Sequence, residues 1–171
     1  MTRQMDSLVV FVILLALCLV LIGHYYPRLP DPLASHFGRD GTPDGWMSKA
    51  SFLDFALTLL GIFSLLFVGL RFWLRKIPVS LINLPHRDYW LAPERREATL
   101  EFIARHLMWF GSATLALFAD MFHQTFRVNL GQAGHLEHPV LTLVVYLVAI
   151  FSLLLVLLVK FGRRPDPAIT S

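Results

Sequence analysis

The chain has 171 residues, 56% of them apolar and only 16% charged, with a mean hydropathy of +0.59. A soluble domain of this length would carry about a quarter of its residues as charges, so the balance argues against a soluble enzyme and for one lipid-embedded domain over 1–171. The net charge of +3 does not indicate nucleic-acid binding, because the basic residues flank apolar blocks and form no solvated stripe.

A transmembrane helix needs about 20 mostly apolar residues, and four segments qualify. The first is 8–26. Arg3 followed by Leu8 to Ile22 has the flavour of a signal peptide, but the apolar core is long and no small-x-small cleavage site follows. Leu15-Ala16-Leu17-Cys18 resembles a lipoprotein box, yet Leu17 stands where a small residue is expected. The reading is an uncleaved helix. Cys18 is the single cysteine, which rules out a disulfide framework or thiolate metal cluster within one chain.

The connection 27–51 is rich in Pro, Gly and Asp and cannot be a continuous helix. Its prolines fix an extended exit from the first span. Gly38, Gly41 and Gly45 permit positive φ, and Thr42-Pro43-Asp44-Gly45 has the chemistry of a β-turn. Trp46 suits a water–lipid boundary. Ser48 or Ser51 can cap the second span, 52–74, with Asp54 three residues after Ser51 in a capping-box pattern.

The connection 75–105 is the most charged stretch. Pro78 and Pro85 keep Ile77–Asp88 from being a regular helix. From Pro93 the pattern turns helical, with Pro in the first turn, Glu94 at the positive end of the dipole and a Glu101–Arg105 pair at i,i+4. This helix is expected to run straight into the third span, 106–126, giving about 51 Å of helix at ~1.5 Å per residue from Pro93 to Phe126 and a long cytoplasmic extension. A shorter connection, Arg127–Pro139, leads to the fourth span, 140–161. Residues 163–171 read as a disordered tail.

Lys and Arg accumulate on the cytoplasmic side of a membrane. Of the 15 basic residues, Arg3, Arg71, Arg75, Lys76, Arg87, Arg95, Arg96, Arg105, Lys160, Arg163 and Arg164 fall on one side; Arg28, Arg39, Lys49 and Arg127 fall on the other. The fold expected is therefore an all-α integral membrane protein with four transmembrane helices, both termini inside, and an ordered outer loop between the first two. Tyr25, Tyr26, Trp73, Trp90 and Trp109 lie near the boundaries, as interfacial aromatics do.

The outer loop is the most distinctive stretch. One reading is that its Gly and Pro residues simply set its path. The other is that His36, Arg39, Asp40, Asp44, Trp46 and Lys49 form a recognition surface, since exposed loops concentrate binding residues. His36, Asp40 and Asp44 make only a weak metal signature, because glycines and a proline break any helical spacing.

The pattern Leu-Pro-Asp-Pro-Leu-x-x-His-Phe-x-x-x-Gly-x-Pro-Asp-Gly-Trp-x-x-Lys, from Leu29 to Lys49, resembles the bacterial membrane-protein family catalogued as domain of unknown function 1648. The resemblance covers about Ser7 to Gly69. Asn83-Leu84-Pro85-His86-Arg87-Asp88-Tyr89-Trp90-Leu91-Ala92-Pro93-Glu94-Arg95-Arg96 is similar to short stand-alone members. The same domain forms the N-terminal part of proteins similar to SdpI-type toxin-immunity proteins, but this chain is too short for their additional membrane domain. The resemblance implies a family and the bacterial cytoplasmic (inner) membrane; it supplies no activity.

A second feature is Asp120 with His123 at i,i+3. Extending the face gives Ser112, Ala116, Asp120, His123 and Arg127, and the fourth span offers Thr142, Tyr146, Ala149 and Ser152. Small residues let helices approach and polar ones bond across, so the two stripes are expected to face each other, with Asp120, His123, Arg127 and Tyr146 as an intramembrane polar cluster. An ionisable residue in a span is a functional hypothesis by default. Asp120, however, is close enough to the outer end to meet water or to pair with His123, Arg127 or Lys49. His24, His36, His123, His135 and His138 all fall toward the outer side, which raises a pH- or metal-responsive cluster as a hypothesis beside ordinary loop histidines.

No Gly-x-Ser-x-Gly, His-Glu-x-x-His, phosphate-binding loop or dinucleotide fingerprint is present, and no carboxylates pair at acid–base spacing. The expectation is a protein without catalysis, cofactor or metal, whose partners are the lipid bilayer and an extracytoplasmic peptide or protein factor. The alternatives are a small oligomeric transporter or channel subunit, and an accessory subunit of a membrane complex.

Overall fold

A computed structural model describes residues 6–163; the tail expected from 163 onward lies, past Arg163, outside them. Four helices are long and apolar enough to cross a membrane: Ser7–Arg28, Lys49–Lys76, Pro93–Asn129 and Pro139–Gly162. Helix α1 (Ser7–Tyr25) starts at Asp6, whose carboxylate accepts from Leu8 N and caps the first turn. Between α1 and α2 (Lys49–Trp73) the chain forms a two-stranded antiparallel sheet, β1 (Leu33–Phe37) and β2 (Pro43–Met47). A segment of short turns includes α3 (Arg87–Trp90) and leads to α4 (Pro93–Asn129); α5 (Pro139–Gly162) closes the described chain.

The expected single long third helix is found, at 37 residues. It is the axis of the molecule, packing against α1, α2, α5 and β1. In lipid there is no hydrophobic drive between helices, so close packing carries the association. Phe11, Cys18 and Ile22 of α1 and Phe52, Ala56 and Leu60 of α2 meet Met108, Leu115, Ala119, Phe122 and Phe126 of α4. Gly111 makes room for two rings: a Cβ there would lie 2.7 Å from the Phe11 ring and 2.8 Å from that of Phe67. Cys18 is fully buried and donates to the Leu115 carbonyl at 3.4 Å.

Helix α5 is peripheral. Among the long helices it packs mainly on α4, and Phe161 is its one buried residue. The N-terminal part of α4 does not stand free either. Leu74, Ile82 and Leu91 from the preceding segment pack on Leu100 and Ala104 in a second small core. Thr99 Oγ1 donates to the Trp90 carbonyl at 2.9 Å.

Three local expectations are corrected. Of the two serines expected to cap α2, Ser48 does so, its hydroxyl accepting from Ser51 N at 3.1 Å. Ser51 thus stands inside the first turn, and the Ser51–Asp54 box does not form. Glu101 pairs with Arg71 of α2 and with Arg75 in the turn just after it rather than with Arg105, because the end of α2 brings two guanidiniums to the face that carries Glu101. The reversal in the 27–51 segment lies at Gly38–Gly41, not at Thr42–Gly45. Gly41 N donates to Gly38 O at 2.9 Å, Gly38 N donates to Thr42 O at 2.8 Å, and only Gly41 among the three glycines has positive φ, at 80°. Pro43 begins β2 opposite Phe37, a strand-edge position where its missing N–H costs no ladder bond. Gly45 is needed for space: a Cβ would lie 2.9 Å from His36 Cβ across the ladder.

Candidate functional site

The β1–β2 hairpin sits at one end of the bundle with the α4–α5 connection. It is held from three sides. Asn129, the last residue of α4, accepts from Ala34 N at 2.6 Å and donates to Ala34 O at 2.9 Å, acting as a third strand one residue long. At the tip, Leu136 N donates to the Gly41 carbonyl at 2.9 Å, which pins the turn to the α4–α5 connection. At the base, Lys49 Nζ donates to the carbonyls of Leu29 at 3.1 Å and Pro27 at 3.4 Å and lies 4.7 Å from the Tyr26 ring centroid. Asp31 accepts from Lys49 N, which sets a carboxylate at the positive end of α2.

The candidate recognition residues divide accordingly. His36 and Asp44 hydrogen-bond to each other on the exposed side, with side-chain exposures of 77% and 49%. Trp46 follows at alternate spacing on β2 and is 60% exposed. Arg39 is exposed on the turn. Asp40 is exposed as well, but its carboxylate accepts from Thr42 Oγ1 at 2.7 Å and Thr42 N at 3.1 Å. Those bonds, the hydroxyl first, hold its pKa below the ordinary aspartate value, with His135 adding a smaller attraction. Lys49 is committed to the hairpin base. His36, Asp44 and Trp46 therefore share one open face on a rigid support, flanked by Arg39.

The polar residues of α4 do not form the single cluster expected. Asp120 accepts from Thr142 Oγ1 and from Gln124 Nε2, each at 2.6 Å, and Gln124 Oε1 accepts from His138 N at 3.0 Å. This knot fastens the start of α5 to α4. His123 turns the other way, to Tyr25 OH of α1 at 3.3 Å, beside Phe126. Arg127 pairs with Glu137 at 2.5 Å, and Tyr146 OH meets Thr114 Oγ1 at 3.4 Å. Residues three apart on a helix differ by about 60° in direction, and on a helix wrapped by three neighbours that angle separates α5 from α1. Ser112 and Ser152 bond to carbonyls of their own helices; across the facing stripes Asp120 bonds Thr142, and Ala116, Tyr146 and Ala149 line the cleft beside them.

His24 and His123 both stack edge-on against Tyr25, and among the described residues no group of three His, Cys, Asp or Glu side chains could hold a metal ion. Asn129, Gln124, Leu136 and Asp31 were not singled out from the sequence. An Asn ending a span and an Asp preceding a helix start are hints, but their partners lie far away in the chain.

Residues 13–68 match the family model described as "Domain of unknown function (DUF1648)", a stretch running from α1 through the hairpin into α2. No curated protein and no solved structure matches the chain.

Proposed function

Starting from a chain whose residues 13–68 match that family's model, we propose that this is a non-enzymatic multi-pass protein of the bacterial cytoplasmic membrane that recognises an extracytoplasmic peptide or protein factor through its hairpin. The orientation proposed is both termini inside. It is supported by the segregation of the basic residues, with Arg71, Arg75 and Lys160 at the end opposite the hairpin. The observation that carries the reading is the division of labour in the hairpin. Asn129, Leu136 and Lys49 hold it in place, while His36, Asp44 and Trp46 stand exposed and add little to the hold.

An exposed tryptophan beside an exposed carboxylate–imidazole pair offers a large, rigid contact surface with a charged, hydrogen-bonding flank. Aromatic anchors of this kind dominate binding energy at interfaces. The test is a deletion strain complemented with His36→Ala, Asp44→Ala or Trp46→Ala. The reading expects normal amounts of folded protein and loss of the deletion phenotype's rescue. Full rescue by all three variants would remove the hairpin as a recognition surface.

A second reading, a subunit of an oligomeric transporter or of a larger membrane complex, has its own observation. Asp120 and Tyr146 line an open cleft of about 380 Å³ between α4 and α5. A carboxylate on the outer surface of a span favours cover by another chain. Liposome flux that disappears in Asp120→Asn would favour transport; a defined co-purifying partner would favour the accessory role.

A further inference from the structure

At the end opposite the hairpin, α3, α4 and the last turns of α5 enclose a groove of about 630 Å³ whose lining includes Trp90, Phe102, Leu155, Val159, Lys160 and Arg163. Its lower wall is aliphatic. Its rim carries two cations, Lys160 in the last turn of α5 and Arg163 just past its end. Lys160 Nζ stands 3.3 Å from the Phe102 ring centroid and 6.0 Å from that of Trp90.

Among the described residues no carboxylate pairs with Lys160 or Arg163. Glu101, the residue before Phe102 of the lining, is engaged by Arg71 and Arg75. The buried indole N–H of Trp90 makes no hydrogen bond. The groove thus presents unpaired positive charge above an apolar trough, beside a donor without an acceptor.

We propose that this groove binds an anionic phospholipid, with the phosphate between Lys160 and Arg163 and an acyl chain along Val159 and Leu155. Charge complementarity selects the occupant. A zwitterionic lipid brings its own cation to a rim that already holds two, and a basic pocket at a helix end is the kind of site that takes anionic headgroups. The carbonyl end of α5 opposes an anion weakly, with about half a unit charge, against two full positive charges. The inference does not depend on the hairpin's role, since a silent hairpin would leave this groove unchanged.

The test uses the full chain in lipid–detergent micelles with Trp46→Phe, Trp73→Phe and Trp109→Phe, so that Trp90 alone fluoresces. Phosphatidylglycerol with brominated acyl chains is expected to half-quench Trp90 at a mole fraction roughly tenfold lower than brominated phosphatidylcholine, the preference two membrane-proximal cations supply. Lys160→Gln with Arg163→Gln should bring the two lipids together, and Lys160→Arg should keep them apart.

Equal quenching by both lipids would overturn the proposal, as would a preference that survives the double glutamine variant or full displacement of the lipid by inorganic phosphate. Should the three-phenylalanine background fail to fold, native mass spectrometry on the wild-type chain reads the same preference as bound phosphatidylglycerol lost in the double variant. Retention of that lipid by the variant would overturn it equally.

Discussion

Asn129 gives both of its amide groups to the backbone of Ala34, closing an otherwise open hairpin edge from a position 95 residues further along the chain. Ala34 is 4% exposed, so removing the amide leaves a buried N–H and a buried C=O without partners. An unpaired buried polar group costs about 1–3 kcal/mol. Asn129→Ala is therefore expected to lower the unfolding free energy by about that amount and to raise amide exchange in β1 selectively, read by hydrogen exchange in detergent. Unchanged protection of β1 would mean that the hairpin is held elsewhere.

The hairpin's two faces should respond differently to substitution. Gly45→Ala drives a Cβ to 2.9 Å from His36 Cβ, and such overpacking costs about 1–3 kcal/mol. His36→Ala breaks a carboxylate–imidazole hydrogen bond between side chains 77% and 49% exposed, and such exposed contacts contribute at most about 1 kcal/mol. The melting temperature should fall for Gly45→Ala and barely move for His36→Ala.

Asp40 links the turn to acid. Its pKa is lowered by the Thr42 hydroxyl and then by Thr42 N–H. The stabilisation is therefore fully present above the ordinary aspartate value and is lost as pH falls through the lower, folded-state value. Exchange at the Thr42 amide, corrected for intrinsic rates, should accelerate in acid in the wild type. In Asp40→Asn that acid dependence should be flattened. The same acid dependence in both chains would remove Asp40 as its source.

The Asp120 knot ties α5 to the bundle. Asp120→Ala removes the shared acceptor of Thr142 Oγ1 and Gln124 Nε2 and leaves those two bonded to each other at 3.2 Å, so the loss expected is that of ordinary hydrogen bonds, about 0.5–1.5 kcal/mol. Because Asp120 and Thr142 bond directly, a double-mutant cycle of Asp120→Ala with Thr142→Val should show coupling. The pair Asp120→Ala with His123→Ala should be nearly additive, since His123 bonds to Tyr25 instead.

Topology has a direct readout. Cys18 is fully buried and should be slow to react, so single cysteines report position. Arg39→Cys is expected to label with a membrane-impermeant maleimide in intact cells, and Glu94→Cys only after permeabilisation. Labelling of both from one side would overturn the proposed orientation.

Much of this architecture is legible along the chain. Apolar runs near 20 residues located the four spans, and Pro93 marked where the longest helix begins, because hydropathy and helix starts are written in consecutive residues. The 27–51 segment was legible only as a non-helical loop. Its strands are short, bulged between Ala34 and Phe37, and interrupted by Gly and Pro, so no period-two pattern announces them.

What consecutive residues determined by themselves is what local spacing and solvent preference can encode: which segments are greasy, which cannot be helical, and where basic residues gather. The tertiary structure alone decided the pairings. Asp120 and His123 were separated by about 60° of helix rotation and sent to different neighbours; Glu101 left Arg105 for α2; Asn129 became the partner of Ala34. Each of those outcomes depends on which surface another helix brings within about 3 Å, the reach of a hydrogen bond. Spacing along one helix carries the direction of a side chain but not the identity of what it meets.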